Sequence, residues 1–159
     1  MSRKKFVGAV VVAGVVTGLV AGAATAQAVP PKVPVLSSLA DAKWTPLMKG
    51  SALPALAAIH GDFGKGPYEA YLKLPAGFVS PVHSHTDDYW AVLVQGKMTH
   101  WAADGGSERD SKVLLPGDLT FMPGKSDHVT KCFPGEDCVV VIAQRVKFDF
   151  IPAKGSSGT

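Results

Sequence analysis

From residue 53 to residue 151 glycine and proline cut the chain into short apolar runs, and none of these keeps a helical period. Tyr68-Glu-Ala-Tyr-Leu-Lys-Leu alternates and is closed by Pro75-Ala-Gly77, while Trp90-Ala-Val-Leu-Val-Gln is continuously apolar, too short for a helix, and ends at Gly96. Two-residue alternation and short apolar runs between turn residues are strand signals. Residues 53–60, a short apolar segment ending at Gly61-Asp62, read as a strand although their alanines favour helix. Further strands are expected at 97–102, 113–115, 119–122, 129–133, 139–146 and 148–151, with a turn at 64–67 and a polar loop at 104–112. Residues 90–95 and 97–102, separated by Gly96 alone, read as a hairpin. Many short strands with no long helical pattern argue for a single all-β domain, a sandwich or barrel.

Within this pattern lie His83 and His85. In extended backbone, side chains two apart point the same way, so these imidazoles are close enough to share an ion. His128 supplies a third candidate, on a later apolar strand preceded by the turn signal Leu115-Pro116-Gly117-Asp118. Imidazole suits Zn, Cu, Fe and Ni, and a neutral three-His set leaves positions open for water and substrate. Tyr89 has the strand parity of His83 and His85. Asp87 and Asp88 stand between, as solvated turn acids unless the strand bends to aim one at the ion.

The spacing resembles that of the cupins. Their first motif, Gly, five residues, His-x-His, three or four residues, Glu, six residues, Gly, is met by Gly77, His83, His85, Tyr89 and Gly96; their second, Gly, five residues, Pro, and His five further on, is met by Gly117, Pro123 and His128. The chain departs from the family in having Tyr89 for Glu, Cys132 for a frequent Asn, and Gly124 directly after the proline. The resemblance is to small exported single-domain bacterial cupins. It implies an all-β double-stranded β-helix, the cupin jelly-roll barrel, with one divalent transition metal (Fe, Zn, Mn, Cu or Ni) held by His83, His85 and His128. It casts Tyr89 as a catalytic or pocket-lining hydrogen-bond donor, with Tyr89, Asp87 or Asp88 as rivals for a fourth ligand. It also implies a small-molecule substrate or ligand and a homodimer paired through sheet edges. A three-His set without a carboxylate resembles that of the iron dioxygenases of the superfamily; Lewis-acid hydrolysis, isomerisation or lyase chemistry is equally open, as are a non-catalytic binding or sensing module and a purely structural domain. His60 and His100 match no motif and read as surface or core residues. Trp90, Trp101 and Phe121 read as core, with Phe121 and Met122 also candidates for the barrel mouth.

Outside the barrel the chain divides simply. Residues 1–28 carry Arg3, Lys4 and Lys5, then an uncharged stretch, then Ala24-Thr-Ala26-Gln-Ala28, the small-residue pattern of a signal peptide cleaved after Ala26 or Ala28. The alternative is an uncleaved anchor, since 6–26 is long enough to span a bilayer and Gly14, Gly18 and Gly22 recur at helix-pairing spacing. Ser2-Arg3-Lys4-Lys5-Phe6 also resembles a twin-arginine signal lacking one arginine. A cleaved signal implies a periplasmic or secreted protein with no membrane attachment. Residues 29–52, with four prolines and Trp44, read as an extended arm that covers a sheet edge or a neighbouring subunit; 53–152 form the barrel and 153–159 a frayed tail. The formal charge of +3 is 16 basic minus 13 acidic residues, and removing Arg3, Lys4 and Lys5 leaves 13 against 13. No basic stripe appears, so nucleic acid is not an expected partner. Cys132 and Cys138 bracket Phe-Pro-Gly-Glu-Asp, a short hairpin; in an oxidising compartment a disulfide is expected there, with free thiols or soft metal ligation as the alternatives.

Overall fold

The structure, a computed structural model, describes residues 36–155. The signal or anchor of 1–28, the start of the arm and the end of the tail lie outside them. Eleven strands follow in order: β1 (Thr45–Pro46), β2 (Ala55–Gly61), β3 (Tyr68–Leu74), β4 (His83–Ser84), β5 (Tyr89–Gln95), β6 (Met98–Ala102), β7 (Val113–Leu114), β8 (Leu119–Met122), β9 (His128–Cys132), β10 (Cys138–Gln144) and β11 (Ile151–Pro152). The helical element among the described residues is one 3-10 turn, Leu39–Asp41, whose first turn is capped by the Ser38 hydroxyl accepting from the Ala40 N–H.

The strands form two facing sheets, six-stranded in the order β1-β2-β3-β10-β5-β8 and five-stranded in the order β11-β4-β9-β6-β7. From β3 onward the chain changes sheet at every connection except β6 to β7. This wrapping is the double-stranded β-helix expected from the sequence. It also overturns two local readings. β5 and β6 are not a hairpin, because β5 pairs with β10 and β8 while β6 pairs with β9 and β7. Gly96 is a corner between the sheets: at φ +83° it takes a conformation that L side chains resist, and a Cβ there would fall 2.8 Å from the Asp137 carbonyl oxygen and 3.0 Å from the Cys138 sulfur. Likewise β9 and β10 lie in different sheets, so the Cys132–Cys138 disulfide, Cα to Cα 5.7 Å, clamps one sheet to the other rather than closing a hairpin.

Strand parity decides what is inside. Tyr89, Ala91 and Leu93 of β5 turn inward with Leu56, Tyr68, Ala70, Val140 and Ile142 to form the core. Trp90 is therefore on the outer face, half-buried between Phe121 (ring centroids 5.6 Å) and the Arg145 guanidinium (5.5 Å). Trp101 is half-buried and Phe121 is 45% exposed, so none of these three aromatics fills the core as expected. Residues 148–150, expected in a strand, are irregular; the strand is limited to β11. The arm pairs through β1 with β2, and Trp44 packs on Tyr71 with the Lys73 ammonium 4.4 Å from its ring centre. Register sets the ends of the barrel: Cys138 pairs with Leu74 and Cys132 with Met98, whereas Gln144 pairs with Tyr68 and Tyr89, and His128 with His83. The disulfide and the histidines stand at opposite ends.

Candidate metal centre and its cavity

His83 and His128 are direct cross-strand partners on β4 and β9, and His85 follows one residue after β4. Opposed residues of antiparallel strands have their Cβ atoms close together, which is why two histidines distant in sequence meet. One ligand nitrogen from each of His83, His85 and His128 lies within 4.8 Å of the other two. All three side chains are buried.

Their orientation is held by the backbone. The Nδ1–H of His83 donates to the Pro81 carbonyl (2.9 Å), that of His85 to the Asp149 carbonyl (2.5 Å) and that of His128 to the Ser126 carbonyl (2.8 Å). With Nδ1 engaged, Nε2 is the nitrogen that each ring has left for an ion, and a carbonyl on the far side of the ring is the usual means of setting the tautomer of a ligating histidine. Burial, followed by the neighbouring imidazole of His128, pushes His83 down to about 3. Burial likewise lowers His128 to about 4 and lowers His85, whose hydrogen bond to the Asp149 carbonyl opposes the shift. These rings are neutral at pH 7, the form that binds a metal. The donor set therefore fits one divalent transition ion.

Tyr89 comes from the opposite sheet. Its hydroxyl lies 3.2 Å from His100 Nε2 and 3.2 Å from His128 Nε2. Burial raises its pKa further above the usual phenol range, so it stands as a neutral donor. Its place owes nothing to shared parity with His83 and His85, since the chain crosses between the sheets at 86–88. Neither Asp87 nor Asp88 joins the ligand group. Asp88 is exposed and accepts from the Gly124 N–H (2.8 Å), and the Asp87 carbonyl accepts from the Gln144 side chain (3.0 Å).

His100, read from sequence as a surface or core residue, belongs to the site. Its Nδ1 is 2.8 Å from the Thr130 hydroxyl, its ring centre is 4.8 Å from that of His128, and burial lowers it to about 3. The available signal was its strand parity with Met98, which puts a polar ring on the inward face of β6. Asp149 carries a second role, its carboxylate accepting from the Thr86 N–H (3.1 Å) and the Thr86 hydroxyl beside His85.

His83, His85 and His100 line a cavity of about 430 Å³ between the sheets, while His128 is fully buried and does not line it. Phe148 and Phe150 bound it from the C-terminal segment, and Leu47, Met48 and Pro54 from the arm and its junction with β2. Phe150 stacks on the His83 ring at 4.2 Å between centroids. Phe121 and Met122, expected at the mouth, do not line it.

No protein-family model and no curated protein sequence matches the chain. Solved structures resemble it in fold. The polyketide cyclase RemF from Streptomyces resistomycificus superposes with a TM-score of 0.59 at 17% identity, over 78% of this chain and 89% of that one. The DMSP lyase DddQ from Ruegeria pomeroyi gives 0.56 at 20% identity, over 76% of this chain and 64% of that one. An RmlC-like cupin protein from Ralstonia eutropha gives 0.54 at 21% identity, over 69% of this chain and 66% of that one. The chain spans about half, 46%, of an oxalate oxidase that is also similar.

Proposed function

We propose, from the premise that this chain is a cupin by fold, that it is an exported metalloprotein whose His83, His85 and His128 hold one divalent transition ion and act with it on a small molecule. The observation that supports this most directly is the set of three buried histidines, each fixed through Nδ1 to a backbone carbonyl and neutral at pH 7. Such an ion would supply Lewis acidity toward a substrate oxygen, or a site for dioxygen if it is redox-active.

The remaining steps fall to the chain's own groups. With His128 Nε2 committed to the ion, the Tyr89 O–H donates to His100 Nε2, and the lone pairs of its oxygen accept from a bound water or substrate hydroxyl. The His100 Nδ1–H then donates to Thr130, which holds the ring in that tautomer. The phenol, neutral and held by His100, is placed to orient a bound water or substrate hydroxyl at the reacting end of the cavity. A phenol placed beside three histidines whose Nε2 atoms are left for an ion supports turnover over capture alone, and the neighbouring folds include a polyketide cyclase and a DMSP lyase.

The test is elemental analysis of the mature protein, isolated without affinity metals, beside its His83→Ala/His128→Ala variant. We expect about one equivalent of one transition metal per chain, lost in the variant. Absence of metal above the variant's background, in protein shown to be folded, would sink the metalloprotein reading.

A further inference from the structure

The cavity wall is unusual in what it omits. Among the described residues, no Lys, Arg, Asp or Glu lines it. Away from the reacting end, where the His83 and His85 Nε2 atoms and the Tyr89 oxygen lie, its polar side chains are largely committed inside the protein: Ser80 Oγ accepts from the Thr130 N–H (2.9 Å), and the Thr130 hydroxyl meets His100. Apart from the Thr120 hydroxyl, the rest is hydrocarbon and aromatic ring. Leu72 lies on the inward face of β3 between buried Ala70 and Leu74, yet is only half-buried because it faces the cavity. Phe150 is 42% exposed and Met48 56% exposed on the same wall. Apolar surface held open to water in a concave site is stabilised by an apolar occupant.

We infer that the cavity takes a neutral, predominantly apolar molecule, aromatic or branched in its body, with one oxygen function that reaches the histidines. The inference rests on the reading of those histidines as the reacting end. A dicarboxylate would leave at least one charge in this wall without a partner, because the ion can pair with only one end of it. A polyol would lose water from hydroxyls that the committed side chains do not replace. An apolar body instead covers Leu72, Phe78 and Phe150, and the volume lies within the range of pockets that enclose drug-sized ligands.

The experiment uses N-phenyl-1-naphthylamine, a neutral fluorophore that brightens in apolar surroundings, with the metal content of every sample measured in parallel. We expect saturable binding that is displaced by 2-naphthol and not by succinate or glucose. Leu72→Lys, which places a charge in the wall, should weaken the probe about tenfold or more while leaving metal content unchanged, and Phe150→Ala, which removes a ring from the wall, should weaken the probe as well. Absence of saturable binding in metal-loaded protein, displacement by succinate or glucose rather than naphthol, or binding indifferent to both substitutions would overturn the inferred ligand class. Cavity binding by protein that takes up no metal would instead overturn the metalloprotein reading and leave the ligand class standing.

Discussion

Tyr89 marks the point where motif and chemistry part. At a position where the resembled family carries a carboxylate, this chain places a buried phenol hydrogen-bonded to two imidazoles. Tyr89→Phe removes that hydroxyl and leaves His100 and His128 short of a partner, so we expect a loss of about 1–3 kcal/mol in the metal-free protein, read by urea denaturation. Metal stoichiometry should be unchanged, because the three nitrogens are untouched; loss of the ion would instead make Tyr89 a ligand. His83, His85 and His128 were legible in the sequence because alternation and turn spacing are local properties. His100 was not, because its partners Tyr89 and Thr130 come from other strands and its sequence neighbours do not announce them.

Among the elements, the turn before β9 couples the two halves of the site. The Lys125 N–H donates to the His85 carbonyl (2.7 Å), and the Gly124 N–H donates to Asp88. A Cβ at Gly124 would meet Asp87 Cα at 2.8 Å and the Thr86 carbonyl oxygen at 2.9 Å, all backbone that cannot swing aside. Gly124→Ala should therefore cost about 1–3 kcal/mol by overpacking and push residues 86–87 away from β9, displacing His85. Weakened zinc binding in a titration, with Gly66→Ala as a neutral control in open space at ordinary φ, checks it. Undiminished zinc affinity in Gly124→Ala would mean that this turn does not position His85. The early glycine, which looks in sequence like a departure from the family spacing, is thus explained by a close backbone approach that only the folded chain reveals.

For the whole molecule, the buried imidazoles make stability depend on pH in a fixed direction. In the metal-free protein His83 and His100 are lowered to about 3, His128 to about 4, and His85 is lowered as well, all from an ordinary 6.5. Below 6.5 the unfolded chain takes up protons that the folded chain refuses. The stability contribution is therefore complete above pH 6.5 and is lost as pH falls from there toward 4 and 3, by up to about 1.4 kcal/mol per pH unit for each group. Denaturation midpoints should be level from pH 7 to 8 and drop between 6.5 and 4, and His83→Ala/His128→Ala should flatten that slope; equal slopes would remove the histidines as its cause. The sequence by itself determined most of the strands and singled out the three histidines, because side-chain alternation and turn chemistry act over a few residues, but it misread residues 148–150 and the turns at Gly96 and Cys132–Cys138. Tertiary structure alone decided that Gly96 and the Cys132–Cys138 loop are corners between sheets, that Trp90 and Phe121 face outward, and that Leu47, Met48, Phe148 and Phe150 enclose the cavity. Those outcomes depend on which strands pair across long loops, a choice made by burial summed over the whole barrel and carried by no single stretch of chain.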